Sequence, residues 1–525
     1  MVLYEASLQH IANMRASIFV VASCFAVAVI EQTVNYEPTT VNGYHKRKES
    51  IMYDRMQTLT KEQMTRIHDG ALDLLKNTGV GFMDAETLEI FKANGFKVDG
   101  KTVFFEEKDI AKALETAPAK FTVVARDPDK SVRIGGDDFV LLPGYGAPFL
   151  TLPNGEQREA TLADYDNFCK LIQTSKYIDM NGFMMVEPSD VPPETAHLDM
   201  LFSNIVLSDK PFLGSPLSRQ AIIDCIEMCG MVWGGKEKLK EMPPVTVSLI
   251  NSLSPLQFSE EMAGSLIELA RNGQAVVVAS LIMAGASGPV TLAGVLALQT
   301  AEILAGLTLA QIVNPGTPVI YGSTSSAMDM KSGALTIGAP ELSMISSATA
   351  QMARFYNLPS RSGGGLTDAL FADAQAGSES TFALLTSARN GINFILHSAG
   401  IMGSYISMSF EKFIIDEEIC GMVRHLLEPI EITDASIDLD VMKEVGIGGQ
   451  YLSHPKTFEL CRTAFFNPDL NNRFTYDAWK AKGGRRIDEI ATDMVGKRLA
   501  TYEKPDIDRD VEAALSDYVI RRKNM

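Results

Sequence analysis

The chain has 525 residues, 46% hydrophobic and 21% charged, which excludes disorder as its main state and leaves room for one large barrel with additions or for two to three smaller domains. Its 47 Lys and Arg against 65 Asp and Glu give a net charge of −18, which argues against nucleic acid or an anionic membrane surface as partner. Forty Gly and 23 Pro follow no fixed period, and six Cys are too few for a disulfide framework. Only Cys225 and Cys229 lie close, one helical turn apart with no His beside them, and they read as core packing rather than a metal pair.

The first fifty-one residues stand apart from the rest. Ser17 to Ile30 is apolar and uncharged, too short for a spanning helix of about 20 residues but similar to the core of an export signal. No clean cleavage site follows, because Glu31, Gln32 and Thr33 come next. Met52 opens an ordinary protein start, and Lys46 to Ser50 read like translated purine-rich leader. The expectation is therefore that residues 1–51 are an upstream start artefact, with an export signal or a real extension as alternatives.

From Thr60 to Thr78 the apolar residues recur at helical spacing, and a second helix is expected at Ala85 to Asn94, closed by Gly95. Phe121 to Arg126, Ser131 to Ile134 and Phe139 to Leu142 read as short strands. Residues 52–175 are thus expected to form an α+β region. Then short continuous apolar runs alternate with helix-length segments. The runs are Met180–Met185, Pro211–Ser215, Val245–Ile250, Ala275–Ile282, Pro318–Gly322, Leu358–Ser362, Asn393–His397 and Ile406–Phe410. Eight such runs over about 240 residues predict an α/β fold, a (β/α)8 TIM barrel spanning 176–430. A doubly wound open sheet is the second choice. Residues 431–525 turn polar and are expected to form a C-terminal helical extension.

Function in such a barrel gathers where the strands end. Those positions carry Asn251, Ser252, Ser280, Tyr321, Ser323, Thr324, Arg361, Ser362 and His397. They contain no zinc-binding triplet, no nucleophile elbow and no phosphate loop. Arg361 leads into Gly363-Gly364-Gly365-Leu366 and then Asp368, Asp373 and Glu379. Glycines there would let the backbone approach a bulky ligand, and Asp368 or Asp373 would serve equally well as a helix N-cap.

Gly333 to Glu341, Gln351 to Arg361, the glycine loop with Asp368, and Asp373 to Gly377 together resemble the trimethylamine methyltransferase family. The similarity runs from about Thr60 to the C-terminus in one order. Founding members of that family carry pyrrolysine in the barrel. This chain has ordinary residues throughout, with Leu366 nearest to the equivalent position. The resemblance implies a methyltransferase that moves a methyl group from a quaternary amine to the Co(I) of a corrinoid (cobalamin) carried by a separate cognate protein. Glycine betaine, yielding dimethylglycine, is the first expected substrate, followed by proline betaine, carnitine and butyrobetaine. A quaternary nitrogen already leaves as a neutral amine, so neither a zinc ion nor an acid–base pair is expected. Tyr145, Phe149, Phe183 and Tyr321 are the candidates to hold the trimethylammonium group, although each also fits the core. Arg361, His397 and the backbone of Gly364 and Gly365 are the candidates for the substrate carboxylate, with His397 and Asp368 as the catalytic pair. The expected setting is the cytoplasm, with homo-oligomerisation left open. The rival readings are methyl transfer from a methylcorrinoid to tetrahydrofolate and, from another class, a betaine-binding transport component.

Overall fold

The computed structural model describes residues 55–525, so the expectations for residues 1–51 lie outside the described residues. Among the described residues, one parallel sheet has seven strands: β1 (Val140–Leu141), β2 (Phe212–Leu213), β3 (Thr246–Asn251), β4 (Ala275–Ser280), β5 (Val319–Ser323), β6 (Ser360–Gly363) and β7 (Phe394–Leu396). Their order is β1-β7-β6-β5-β4-β3-β2, so each strand neighbours its sequence successor except across the ends. The segment around Asp179 to Asn181 touches both end strands. The Asp179 amide donates to the Leu141 carbonyl at 2.9 Å, and Asn181 pairs in parallel with Phe212.

Seven helices run between successive staves, α1 (Leu162–Gln173), α2 (Ala196–Leu207), α3 (Arg219–Trp233), α4 (Glu260–Arg271), α5 (Leu292–Val313), α6 (Pro340–Phe355) and α7 (Ala374–Asn390), and α8 (Phe410–Leu426) follows the last strand. Covered by helices, the central strands are buried along their whole length, which is why β4 and β5 read as unbroken apolar runs. Helix α5 is long and apolar enough to cross a membrane, yet 78% of its most apolar window is buried inside the fold. Gly306 makes that packing close, since a Cβ there would sit 2.6 Å from Val278 Cγ1.

Three strand assignments differ from the sequence reading. Met180–Met185, read as the first strand, forms none and pairs only through an isolated bridge of Asn181 with Phe212. Val140–Leu141, read as part of the N-terminal region, is an end strand of the parallel sheet. Ile406 to Phe410, read as the eighth strand, contributes only Ser407–Met408, which pairs with Ile401–Met402 and Phe149–Thr151 in a separate small sheet. A short apolar run states that a strand is buried, not which sheet it joins.

The flanking regions form as their local signals dictate. Thr60 caps the helix Lys61–Asp73 through a capping box with Gln63. Asp84 caps Ala85–Ala93, and Gly95 follows at φ 82°. Past α8 the chain carries helices at Tyr476–Ala481, Ile487–Ala500 and Arg509–Lys523.

Candidate active site

Arg361 lies on β6 and is 1% exposed. Its Nη1 donates to Thr324 Oγ1 at 3.0 Å, just past the end of β5, while Nε has no partner. Among the described residues no carboxylate pairs with it. Its electrostatic neighbours are the phenols of Tyr405 and Tyr145, and burial pushes the guanidinium down to about 10, so it remains a cation at neutral pH. His397 ends β7 with φ 60°, a left-handed conformation held by donation from its amide to the Pro143 carbonyl. Its ring packs on Tyr405 at 4.8 Å between centroids and lies against the Tyr145 backbone, with Nδ1 unpaired. Tyr405 Oη is near Thr324, whose hydroxyl accepts from Arg361, but makes no well-formed hydrogen bond itself. Three buried polar groups without partners thus converge at the C-terminal strand ends, an arrangement that costs stability unless a ligand completes it.

Beside this cluster is a cavity of about 360 Å³ lined by Pro148, Phe149, Met184, Pro193, Leu217 and the carboxylates of Glu159 and Glu187. Tyr145 lies within electrostatic reach of both Arg361 and Glu187, one in the cluster and the other in the cavity lining.

The glycine loop is braced from behind. Gly364 donates to the Leu396 carbonyl at 2.8 Å and Leu366 to the Gly364 carbonyl at 2.8 Å, so these two N–H groups are already engaged. Cβ atoms on Gly364 and Gly365 would lie 2.7 Å from Ser398 Oγ and 2.7 Å from the Ser398 carbonyl oxygen. Their smallness serves the neighbouring loop rather than an approaching ligand. Leu366 is fully buried. Ser387 and Ser380 of α7 donate to the carbonyls of Gly363 and Gly365, and Glu379 accepts from Thr367 Oγ1 and the Asp368 amide. Asp373 caps α7.

The remaining sequence candidates separate. Asp368, expected beside His397 in catalysis, accepts from the Ile337 and Gly338 amides at 2.8 and 3.0 Å and from Ser404 Oγ at 2.7 Å, which occupies both its oxygens. Tyr321 points to the helix side of β5: its hydroxyl is bonded to Thr300 of α5 at 2.6 Å and its ring stacks on Tyr356. Phe183 is fully buried in the core. Phe149 lines the cavity.

The sequence profile described as "Trimethylamine methyltransferase (MTTB)" matches residues 37–525. A glycine betaine methyltransferase of Desulfitobacterium hafniense is 45% identical over 464 residues, 88% of this chain and 96% of the relative. The chain belongs to the trimethylamine methyltransferase family. It is a methyltransferase, and its relatives include a trimethylamine methyltransferase of Methanosarcina thermophila, 31% identical over 87% of this chain and 95% of its own. A proline betaine:corrinoid methyltransferase of Eubacterium limosum is 32% identical over 86% of this chain and 95% of its own. Among solved structures, the monomethylamine methyltransferase of Methanosarcina barkeri aligns with a TM-score of 0.48 at 11% identity, covering 86% of this chain and 89% of that one.

In this methyltransferase the structure gathers Arg361, His397 and Tyr145, which the sequence reading named, with Tyr405 and Glu187, which it did not. The signal for Tyr405 was its place after Gly400 and Gly403, in the loop that leaves the strand of His397. Burial, and then the Arg361 charge, hold the His397 imidazole well below its ordinary range, so it is neutral in the folded enzyme. Below pH about 6.5 the unfolded chain takes up a proton that the folded chain refuses. Stability is therefore full above that pH and falls as pH drops below it. His397→Gln is expected to flatten this part of the profile, seen as a smaller Tm difference between pH 7.5 and pH 5.5 than in the parent.

Proposed function

We propose that this methyltransferase demethylates a carboxylated quaternary amine, glycine betaine before other betaines, handing the methyl to a corrinoid carried by a separate protein and releasing the tertiary amine. The observation that carries this reading is Arg361: a buried cation with unpaired donors around it and no carboxylate of its own. A substrate carboxylate supplies the missing counter-ion. The relative at 45% identity, named for glycine betaine, supports the same substrate.

The chain's residues orient the zwitterion. Arg361 takes the carboxylate, and the trimethylammonium group turns away from that charge toward Tyr145, Phe149 and the Glu187 side of the cavity. Aromatic faces there contribute about 0.5–2 kcal/mol each by cation–π attraction. Neutral His397 packs beside the carboxylate pole without adding a second cation. When the methyl leaves, the C–N electron pair stays on nitrogen, so no residue needs to move a proton. The corrinoid supplies a reduced cobalt nucleophile when its carrier docks. The apolar side chains of Pro148, Phe149, Met184 and Leu217 would meet the corrinoid at this cavity. Binding, orientation and exclusion of water are what the chain provides.

The architecture that serves this is a closed (β/α)8 barrel. The contacts of Asp179 and Asn181 with both end strands support an eighth stave there. We divide the chain into an N-terminal α+β region (52–175) that lends β1, the barrel (176–430) and a helical extension (431–525). Exposed apolar side chains on that extension, Ile432, Ile447, Phe458 and Phe465 among them, support homo-oligomerisation. A reduced cobalt partner places the reaction in the cytoplasm.

The test is a substrate panel with a reduced cognate corrinoid protein, read by its absorbance change on methylation. Glycine betaine is expected to give the fastest change, other betaines a slower one and trimethylamine none. No change with any betaine would overturn the proposal.

A further inference from the structure

Tyr405 stands out by its backbone as much as by its hydroxyl. Gly403, Ser404 and Tyr405 have φ 54°, 56° and 75°, so two consecutive non-glycine residues hold a left-handed conformation. Side chains avoid that conformation unless the surroundings impose it, and such strain gathers at functional sites. What imposes it here is a latch. Ser404 Oγ donates to Asp368, whose carboxylate is itself fixed by the Ile337 and Gly338 amides. The Gly403 amide donates to the Ala369 carbonyl at 3.0 Å and the Ser404 amide to the Thr367 carbonyl at 3.3 Å. The outcome is a tyrosine whose ring is set against His397 and whose buried hydroxyl has no partner, beside an arginine whose Nε has none either.

We propose that Tyr405 Oη donates to the same substrate carboxylate as Arg361, and that the Asp368–Ser404 latch is the positioning device that aims it. The inference rests on the functional reading above and deepens it. A carboxylate offers about four acceptor directions, enough for a guanidinium and a phenol together. Burial keeps the phenol protonated, so it arrives as a donor. A quaternary amine without a carboxylate would leave both donors buried and unpaired, so the pair selects for betaines against choline-like amines.

The experiment compares glycine betaine with choline by calorimetric titration of the full chain, in the parent and in Tyr405→Phe, which keeps the ring on His397. Glycine betaine should bind about 10- to 100-fold more weakly to the variant, while choline binding stays within about twofold. In methyl transfer the loss should appear in KM, with kcat little changed. Ser404→Ala keeps the hydroxyl of Tyr405 but opens the latch, and should shift the betaine-to-choline ratio in the same direction by a smaller factor. It carries the same comparison if Tyr405→Phe does not fold. An unchanged ratio in the variants, with the parent binding betaine, would overturn this inference alone. A parent that binds no carboxylated quaternary amine would overturn the functional reading and this inference with it.

Discussion

Replacing Arg361 by methionine is expected to abolish betaine turnover and, at the same time, to raise the melting temperature. The two effects have one cause. Arg361 is 1% exposed, donates to a single hydroxyl and has no carboxylate partner among the described residues. Holding a cation there without its counter-ion costs folding free energy, and a well-packed apolar side chain of similar length relieves it, by on the order of 1 kcal/mol or more. The substrate carboxylate loses its charged donor in the same step, a loss of about 3 kcal/mol, or more than a hundredfold in kcat/KM. Arg361→Lys keeps the charge but not the planar fork and should fall between. Calorimetric melting and steady-state kinetics on the same preparations check the pair of outcomes. A methionine variant that is destabilised by several kcal/mol would make Arg361 a structural residue instead.

Lys412→Met should be among the most destabilising single changes in the protein. Lys412 and Asp416 are 0% and 1% exposed in their side chains, one turn apart on α8. Burial works against the Asp416 charge, and Lys412 works for it. Lys412 Nζ also donates to Ser380 Oγ at 2.7 Å, and Asp416 accepts from the Gly400 amide at 2.8 Å. Ser380 in turn donates to the Gly365 carbonyl. One ion pair therefore ties together the glycine loop after β6 and the loop after His397. Removing the lysine strands a buried carboxylate, at a cost of about 3–5 kcal/mol. Adding Asp416→Asn removes the stranded charge while keeping an acceptor for Gly400, and should recover most of that loss. Denaturant unfolding of the single and double variants measures both, and equal destabilisation of the two would show that the charge is not what matters.

Strands were legible where composition was extreme. Ala275 to Ser280 and Val319 to Ser323 announce themselves because both faces of a parallel strand are covered. The same fact hides which way each side chain points. Tyr321 and Ser323 turn toward α5, where they meet Thr300 and Gln299, and nothing in an unbroken apolar run tells that face from the opposite face of the sheet. Arg361 was legible for a different reason: a guanidinium within a short buried strand needs an explanation. The glycines after it read as room for a ligand, whereas what approaches Gly364 and Gly365 is Ser398, through its hydroxyl and its carbonyl. Tyr405 was marked only by the glycines before it, because its backbone conformation is set through Ser404 by Asp368, thirty-six residues before that serine. Val140–Leu141 is too short to reveal that it pairs with Phe394 and Ile395 across the chain.

On the proposed reading, the pocket grips a permanently charged nitrogen through the carboxylate at its other end. The most direct measurement follows glycine betaine labelled with ¹³C in its N-methyl groups, incubated with the enzyme and the reduced corrinoid protein. Labelled methyl on the corrinoid should appear in equal amount with dimethylglycine, and labelled trimethylamine should deliver none. Methyl transfer from trimethylamine at a comparable rate, or dimethylglycine formed without methylation of the corrinoid, would contradict it.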